Sequence, residues 1–348
     1  MERHDFTNCA SGGVIQYSLS YISNIIKSDE KVKHILYCDA RNYGMFSSRF
    51  NTQNVDVRKI QITNNAKLDK IIWFLILKNI IAIFGKYDLF THHNGIYINP
   101  FKRKGNHIII HNVQPLLWKR DENLRNLIRL NLLHVCYLLS FTFCQKVIFL
   151  NDALCLRLKQ HHVYWIWKKK FEFSAKNLGL PKVKVKKRLD KKIAGKINLC
   201  YVSTFNDYKN HKFLFKCIDS SKSDVSICCI GVDENDKKFK KLIENYSLSI
   251  NHFIVSPEVV GQELVKFDGL LFMSSVENLP KTIFDYALVE KPMLVLKIPE
   301  IFDIFEDSNI VWLAQLNEDE FMIKFKEFLS MIRKGKYIHY KTADKYAD

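Results

Sequence analysis

The sequence predicts an α/β protein of two Rossmann-like domains, each built on a mostly parallel sheet. Three observations carry this. Short apolar runs of strand length alternate with stretches of helical periodicity along most of the chain, the rhythm of repeated βαβ units. The rhythm breaks in a lysine-rich stretch, 181–195, and restarts cleanly at Ile197. A chain of 348 residues is too long for one ordinary open-sheet domain and suits two.

In the first half, the opening residues MERHD are too polar for a core strand. The first strand is therefore expected to be short and at an edge, or to lack part of itself. Gly12-Gly13 opens a helical pattern through Val14, Ser18 and Ile22. A double glycine at a helix start lets backbone approach a ligand, although it serves equally well as a simple turn. Strands are expected at 34–38, 55–60, 88–92, 107–111 and 147–150. Helices are expected at 68–84, at 116–143 (one or two) and from Asp152 to Gln160. In the second half, strands are expected at 197–202, 224–230, 253–255, 270–273, 293–296 and 310–313. Helices are expected up to about Asp219, then at 236–246, 258–267, 281–289 and at the end of the chain. Asn317 with Glu320 three residues on reads as a capping box, so the Glu-Asp-Glu there is a helix start rather than a metal motif.

Composition narrows the class. Lys and Arg outnumber Asp and Glu by 53 to 36, a formal net charge of +17 that favours an anionic partner. From Arg157 to Lys192 there are 13 Lys or Arg against Glu172 and Asp190, beside Tyr164, Trp165 and Trp167. Basic residues beside tryptophans suit an anionic membrane surface. Nucleic acid is not expected, because no recognition module is visible. The nine cysteines form no C-x-x-C pair and read as small buried hydrophobes in a reducing compartment. The apolar stretches 71–84 and 132–150 are interrupted by Lys78 and Asn79 and by His134, Gln145 and Lys146. They therefore read as elements of a globular chain, not membrane spans. No signal peptide is visible at the start. The histidines, including His92-His93 and His161-His162, lack recognisable metal spacing, and no metal is expected.

The most informative stretch is Ser274–Pro292, SSVENLPKTIFDYALVEKP, between two apolar strands. Pro280 sits where a helix accepts proline, at its first turn. A helix start offers backbone N–H groups and a positive dipole end to phosphate. Glu277 before it and Asp285 eight residues later can accept hydrogen bonds from hydroxyls. A strand, a tight acidic loop, a helix start and a second acid suit a nucleotide sugar. His111, at the carboxyl end of a strand, lies where open α/β sheets bind ligands.

These features, in this order, resemble glycosyltransferase family 4, retaining enzymes of the GT-B fold. Ser274, Glu277, Asn278, Leu279, Pro280, Asp285, Tyr286, Ala287, Lys291 and Pro292 follow the family frame S-x-x-E-G-F-P-x-x-x-x-E-A with a downstream K-P. Val202-Ser203-Thr204-Phe205 with Tyr208-Lys209-Asn210 is similar to V-G-R-L followed by K-G or K-N. Ile230-Gly231 resembles the family's V-G strand end. Gly12-Gly13 and His111 fall at its glycine loop and strand-end histidine. Two positions depart from the frame. Asp285 is one methylene shorter than the family's Glu. Thr204 replaces a phosphate-binding Arg, and a neutral hydroxyl cannot supply that charged fork.

The resemblance implies a GT-B architecture with the sheets facing a central cleft. An acceptor-side domain would span 1–185, a linker 186–196 and a nucleotide-sugar domain 197–320. A C-terminal segment, 321–348, could cross back. It implies transfer of a sugar from a nucleotide-diphosphate sugar with retention and without a metal. Catalytic roles fall to Glu277, Lys209 and His111. Donor contacts fall to Gly12, Gly13, Thr204, Lys209, Asn278, Leu279, Pro280, Lys281, Thr282 and Asp285. Glu277 would hold sugar hydroxyls, Asp285 the ribose, and Lys209 with the amides at Lys281–Thr282 the diphosphate. The acceptor would be a glycan or polyprenyl-linked oligosaccharide at the cytoplasmic membrane face, in O-antigen or capsule assembly. The competing readings are an inactive GT-B binding protein, favoured by Thr204, a GT-B nucleotide-sugar epimerase, and a nucleic-acid-binding protein, suggested by the charge.

Overall fold

The structure is a computed structural model that describes residues 1–9, 12–50, 52–101, 104–117, 124–174, 195–256, 259–305, 309–335, 338 and 340. Ala10 and Ser11, the basic segment beyond 174, most of the 186–196 linker, Glu258 and the last residues of the 321–348 segment lie outside the described residues. The chain divides into two compact units, Met1–Gly179 and Leu180–Asp348.

The first unit runs β1 (Glu2–Asp5), α1 (Gly12–Ser28), β2 (His34–Cys38), α2 (Tyr43–Phe50), β3 (Val55–Lys59), α3 (Ala66–Ile72), a π turn (Trp73–Leu77) and α4 (Lys78–Phe84). It continues with β4 (Leu89–His92), β5 (Asn106–Ile110), a 3-10 turn (Gln114–Leu116), α5 (Leu124–Phe143), β6 (Lys146–Phe149), α6 (Asp152–Gln160), a 3-10 helix (His162–Lys170) and β7 (Phe171–Phe173). The seven strands are parallel in the order β3-β2-β1-β4-β5-β6-β7. One face of β1–β3 packs on α1 and α2 through Phe6, Ile15, Leu19, Leu36 and Phe46. The other packs Ile35, Tyr37 and Phe90 on Trp73.

This order corrects the expectation for MERHD. The strand is not at an edge: β1 lies inside the sheet, between β2 and β4. His4 and Asp5 are fully buried. Burial of a carboxylate needs a charge partner and hydrogen bonds, and Asp5 has both. Lys78 Nζ lies 2.7 Å from its Oδ2. Asn94 Nδ2 (2.8 Å), Thr7 Oγ1 (2.6 Å), the Thr7 N–H (3.1 Å) and Trp73 Nε1 (3.3 Å) also donate to it. Lys78 Nζ donates further to the Ile96 carbonyl at 2.6 Å. Burial alone would push the Asp5 carboxyl up, but Lys78 and the neighbouring His92 ring hold it well below the usual carboxylate range.

Trp73 and Lys78 reach one carboxylate because of the π turn between them. In an α-helix, residues five apart point about 140° away from each other. Here the Lys78 N–H bonds back to the Trp73 carbonyl, the i→i+5 bond that brings both side chains to the sheet. The expected single helix over 68–84 is thus two α-helical segments around a π turn, and the lysine in its middle faces inward.

The second unit runs β8 (Ile197–Val202), a 3-10 turn (Asp207–Lys209), α7 (His211–Ser221), β9 (Val225–Ile230), α8 (Lys237–Ile243), β10 (Ser249–Phe253) and α9 (Val260–Leu264). It ends with β11 (Gly269–Phe272), α10 (Lys281–Ala287), β12 (Met293–Leu296), α11 (Pro299–Phe305), β13 (Val311–Leu313) and α12 (Glu318–Arg333). Its six strands are parallel in the order β10-β9-β8-β11-β12-β13. β10 begins four residues before the expected strand. It is a half-exposed edge strand with no apolar run to announce it, and its place is set by pairing Ser249–Phe253 with Ser226–Ile230. At α12, Asn317 Oδ1 accepts the Glu320 N–H at 3.0 Å, but the Glu320 carboxylate takes the Ala314 N–H at 2.6 Å rather than completing the box.

Gly231, after β9, has φ +104°, and a Cβ there would stand 3.1 Å from the Ser203 carbonyl oxygen. Only glycine adopts this backbone without strain. Gly231→Ala is therefore expected to destabilise the protein by about 1–3 kcal/mol in urea unfolding.

Lys78→Met strands the Asp5 carboxylate in the core. The expected loss is about 3–5 kcal/mol, with much of it recovered in the Asp5→Asn/Lys78→Met double variant. The pH dependence has a definite sign. A carboxyl depressed in the folded state stabilises fully above its unfolded pKa of about 3.9 and loses that contribution as pH falls below it. Acid unfolding of the wild type should therefore include a proton uptake at Asp5 that is missing in the double variant, as measured by urea midpoints between pH 3 and 7.

Candidate functional site

In the second sheet the strand order reverses between β8 and β11. A crevice opens beyond the carboxyl ends of strands at such a switch point, the usual ligand position in open α/β sheets. Two loops leave there, 203–210 after β8 and 273–280 after β11, and they are fastened together. The Ser275 N–H donates to the Tyr208 carbonyl at 2.9 Å. Asn210 Nδ2 donates to the Met273 carbonyl at 2.7 Å. Asn210 can do this because its backbone is left-handed (φ 58°), a conformation asparagine tolerates. Beneath the loops, Ser203 Oγ meets His211 Nε2 at 3.0 Å, and the Tyr201 hydroxyl donates to the Lys209 carbonyl. Burial, with Lys209 adding to it, pushes the His211 pKa down to about 3, so its ring is a neutral hydrogen-bonding strut.

On this frame Lys209 and Glu277 form an ion pair across the two loops. Their side chains keep 12% and 15% of their surface, so both are sheltered yet reachable. Burial disfavours the Lys209 ammonium, but the Glu277 carboxylate outweighs it and holds the lysine above its usual value. A second pair follows on α10, where Lys281 Nζ lies 2.8 Å from both oxygens of Asp285, one helical turn on. Burial raises the Asp285 carboxyl against the pull of Lys281.

The structure thus places Glu277, Lys209, Asn278, Leu279, Pro280, Lys281, Thr282 and Asp285 along one loop and helix start with the adjoining β8 loop. Asn278 and Pro280 are buried, while Leu279 and Thr282 are half-buried. Thr204 is exposed on the β8 loop, with its hydroxyl accepting from Asn206 Nδ2 at 2.8 Å. At the helix start the Lys281 N–H donates to Leu279 O and the Ile283 N–H to Pro280 O, both at 2.9 Å. Of the amides expected to face a diphosphate, that of Lys281 is therefore already engaged within the loop. Lys291 is also engaged: its Nζ donates to the Val265 and Phe267 carbonyls (2.9 and 2.7 Å) at the end of α9. The two acids and two lysines sum to zero charge.

Gly12, Gly13 and His111 belong to the first unit. Gly12 and Gly13 are the first residues of α1, and His111 follows β5 directly. The His111 ring packs edge-on against Tyr17 of α1, with centroids 4.9 Å apart. Burial pushes its pKa down to about 3, leaving a neutral imidazole at neutral pH. Sequence reasoning missed the Asp5–Lys78 network at the first sheet's own reversal, between β1 and β4. Its signal was the lysine interrupting an apolar helix. It also missed how far the basic segment is structural. Lys170 Nζ donates to the carbonyls of Phe141, Thr142 and Cys144, Tyr164 is buried with its hydroxyl on Leu116 O, and Trp167 Nε1 reaches Thr142. Trp165 does face outward, at 62% exposed.

No family model and no curated relative matches this sequence. Solved structures do match. WaaG, a glycosyltransferase involved in lipopolysaccharide biosynthesis, is similar over 96% of this chain and 92% of its own, with TM-score 0.66 and 11% identity. HepE of Anabaena, in complex with UDP-glucose, is similar over 96% and 92%, with TM-score 0.62 and 13% identity. The outer-core galactosyltransferase WaaB is similar over 97% and 92%, with TM-score 0.58 and 13% identity. These neighbours are GT-B glycosyltransferases, and the likeness establishes the fold: this chain is an α/β protein of GT-B type, with two sheets of parallel strands.

Proposed function

We propose that the protein is a glycosyltransferase that moves a sugar from a nucleotide-diphosphate sugar to a glycan or lipid-linked glycan. The observation that carries this reading is the Lys209–Glu277 pair, held by two fastened loops at the carboxyl ends of β8 and β11. Breaking the anomeric bond leaves negative charge on the diphosphate, and catalysis needs preorganised donors where that charge develops. Lys209 is such a donor, because Glu277 keeps it charged and oriented. Glu277 has the acceptor oxygens for sugar hydroxyls, and Asp285 for the ribose, each beside a lysine that the ligand can partly displace. The Thr282 amide and Asn278 would complete the donor site, with Thr204 supplying a hydroxyl where the resembling family has an arginine. By the family resemblance Gly12-Gly13 would contact the donor, and His111 the transferred sugar as a neutral hydrogen-bonding group.

The finer reading follows the family resemblance: retention of configuration, no metal in the reaction, and a role in O-antigen or capsule assembly at the cytoplasmic membrane face. Unit 1 offers support for membrane contact. α5 exposes Leu124, Ile128, Leu132, Val135 and Leu139, each 40–70% exposed, in one stripe. Among the described residues α5 is also the one helix long and apolar enough to cross a membrane, with 28% of its apolar window buried. We read it as an apolar face lying on the bilayer surface, with Trp165 and Lys168–Lys169 on the 3-10 helix whose Trp167 reaches Thr142 of α5. A binding protein without turnover is the second reading, favoured by Thr204 and by the compensated charge of the site.

Turnover of a panel of UDP-, GDP- and dTDP-sugars with a membrane lipid extract tests the activity. Lys209→Ala is expected to lower kcat by roughly 10²–10³-fold, the usual cost of losing one such donor. Glu277→Ala should lower it comparably while leaving the far-UV spectrum unchanged. No turnover with any donor, together with intact polysaccharide assembly in cells carrying Glu277→Ala, would leave only the binding reading. Product anomers by NMR decide retention, and activity with and without added magnesium or manganese decides whether the reaction needs such a metal.

A further inference from the structure

Away from the carboxyl-end residues, Glu2, His4 and His34 converge near the opposite end of the first sheet. Parallel register sets Glu2 beside His34, and strand alternation puts Glu2 and His4 on the same face of β1. That face is the one α1 covers, through Ile15, Leu19 and Ile22. His4 and His34 are buried, and the Glu2 side chain keeps 26% of its surface, so one side of the cluster opens to solvent.

The three inward atoms form a nearly regular triangle. His4 Nε2 and His34 Nδ1 are 3.4 Å apart. Glu2 Oε2 is 3.6 Å from His4 Nε2 and 3.7 Å from His34 Nδ1. Bonds of about 2.0–2.1 Å to a tetrahedral zinc ion place neighbouring ligand atoms about 3.4 Å apart. The triangle is thus one face of such a tetrahedron, a few tenths of an ångström wide. The outward nitrogens, His4 Nδ1 and His34 Nε2, have no hydrogen-bond partner among the described residues. The rings are oriented by their convergence on Glu2 and on each other. Two imidazoles and one carboxylate favour zinc-class transition metals over magnesium or calcium, which prefer all-oxygen sites.

We propose that Glu2, His4 and His34 bind one divalent transition-metal ion of the zinc class. Water takes the remaining position on the solvent side of Glu2. The ion bridges β1 and β2 and fastens the polar first strand into the sheet. The site is separate from the nucleotide-sugar reading and stands without it.

The test uses the full chain, stripped with EDTA and dialysed against zinc chloride, with metal content measured by mass spectrometry. One zinc per chain and a raised melting temperature are expected, with no rise from magnesium or calcium. Cobalt(II) in place of zinc should give the intense visible bands of a tetrahedral site. Glu2→Gln and His34→Gln should each weaken zinc binding at least about tenfold. The His161→Ala/His162→Ala variant should bind as the wild type does. Substoichiometric zinc in the wild type, a weak octahedral cobalt spectrum, or binding lost with His161 and His162 would overturn the proposal. Should a strand variant fail to fold, the wild-type stoichiometry and cobalt spectrum decide alone.

Discussion

The first unit depends on one buried ion pair. Asp5 ends the strand at the sheet's reversal point, and Lys78 reaches it from the helix on the opposite layer. A carboxylate in that position is costly unless a cation and several donors meet it. The protein supplies all of them from separated segments: Thr7 from the following loop, Trp73 from the π turn, Lys78 from the start of α4, and Asn94 from the loop after β4. The pair therefore links β1, β4 and the α3–α4 layer in one contact. It also gives the π turn a purpose, since an unbroken α-helix would turn either Trp73 or Lys78 away. Buried polar networks of this kind specify one arrangement of the elements they join, because any slip leaves a charge unpaired.

The second unit solves the same topological problem differently. At its reversal point the charges lie nearer the surface, and backbone contacts carry the structure. Asn210 and Ser275 fasten the β8 and β11 loops, so Lys209 and Glu277 are presented as a pair rather than as two mobile side chains. Lys281 and Asp285 repeat the arrangement one helix start away. With Thr204 in place of a cation, these four side chains are neutral overall. In the proposed donor site a diphosphate would compete with Glu277 and Asp285 for the two lysines.

How much could be read beforehand depended on whether a residue's role was local. The strands at 34–38, 197–202 and 293–296 were legible because central parallel strands are continuous apolar runs. The stretch from Ser274 to Asp285 was legible because its strand, loop and helix start follow one another in sequence. β10 was misplaced by four residues because an edge strand takes its register from a neighbour and not from its own pattern. α2, β7, α11 and the 3-10 helix before β7 went unread, being short segments of three to nine residues. The basic segment was read by composition, yet Lys170 and Tyr164 proved to be tied inward.

The fold class and the residues flanking the second reversal point were therefore already present in the order of apolar runs, glycines and acids. Periodicity and strand-to-helix spacing are properties of neighbouring residues, and a linear reading can recover them. The placement of β1 was not. MERHD is polar by every local measure, and it becomes a central strand because residues 73, 78 and 94 neutralise and saturate Asp5. The same holds for the pairing of Lys209 with Glu277, 68 positions apart, and for the meeting of His34 with Glu2 and His4. Such contacts exist only once the sheets close the distance, and the energy that makes a buried charge tolerable is a sum over segments that no single window contains.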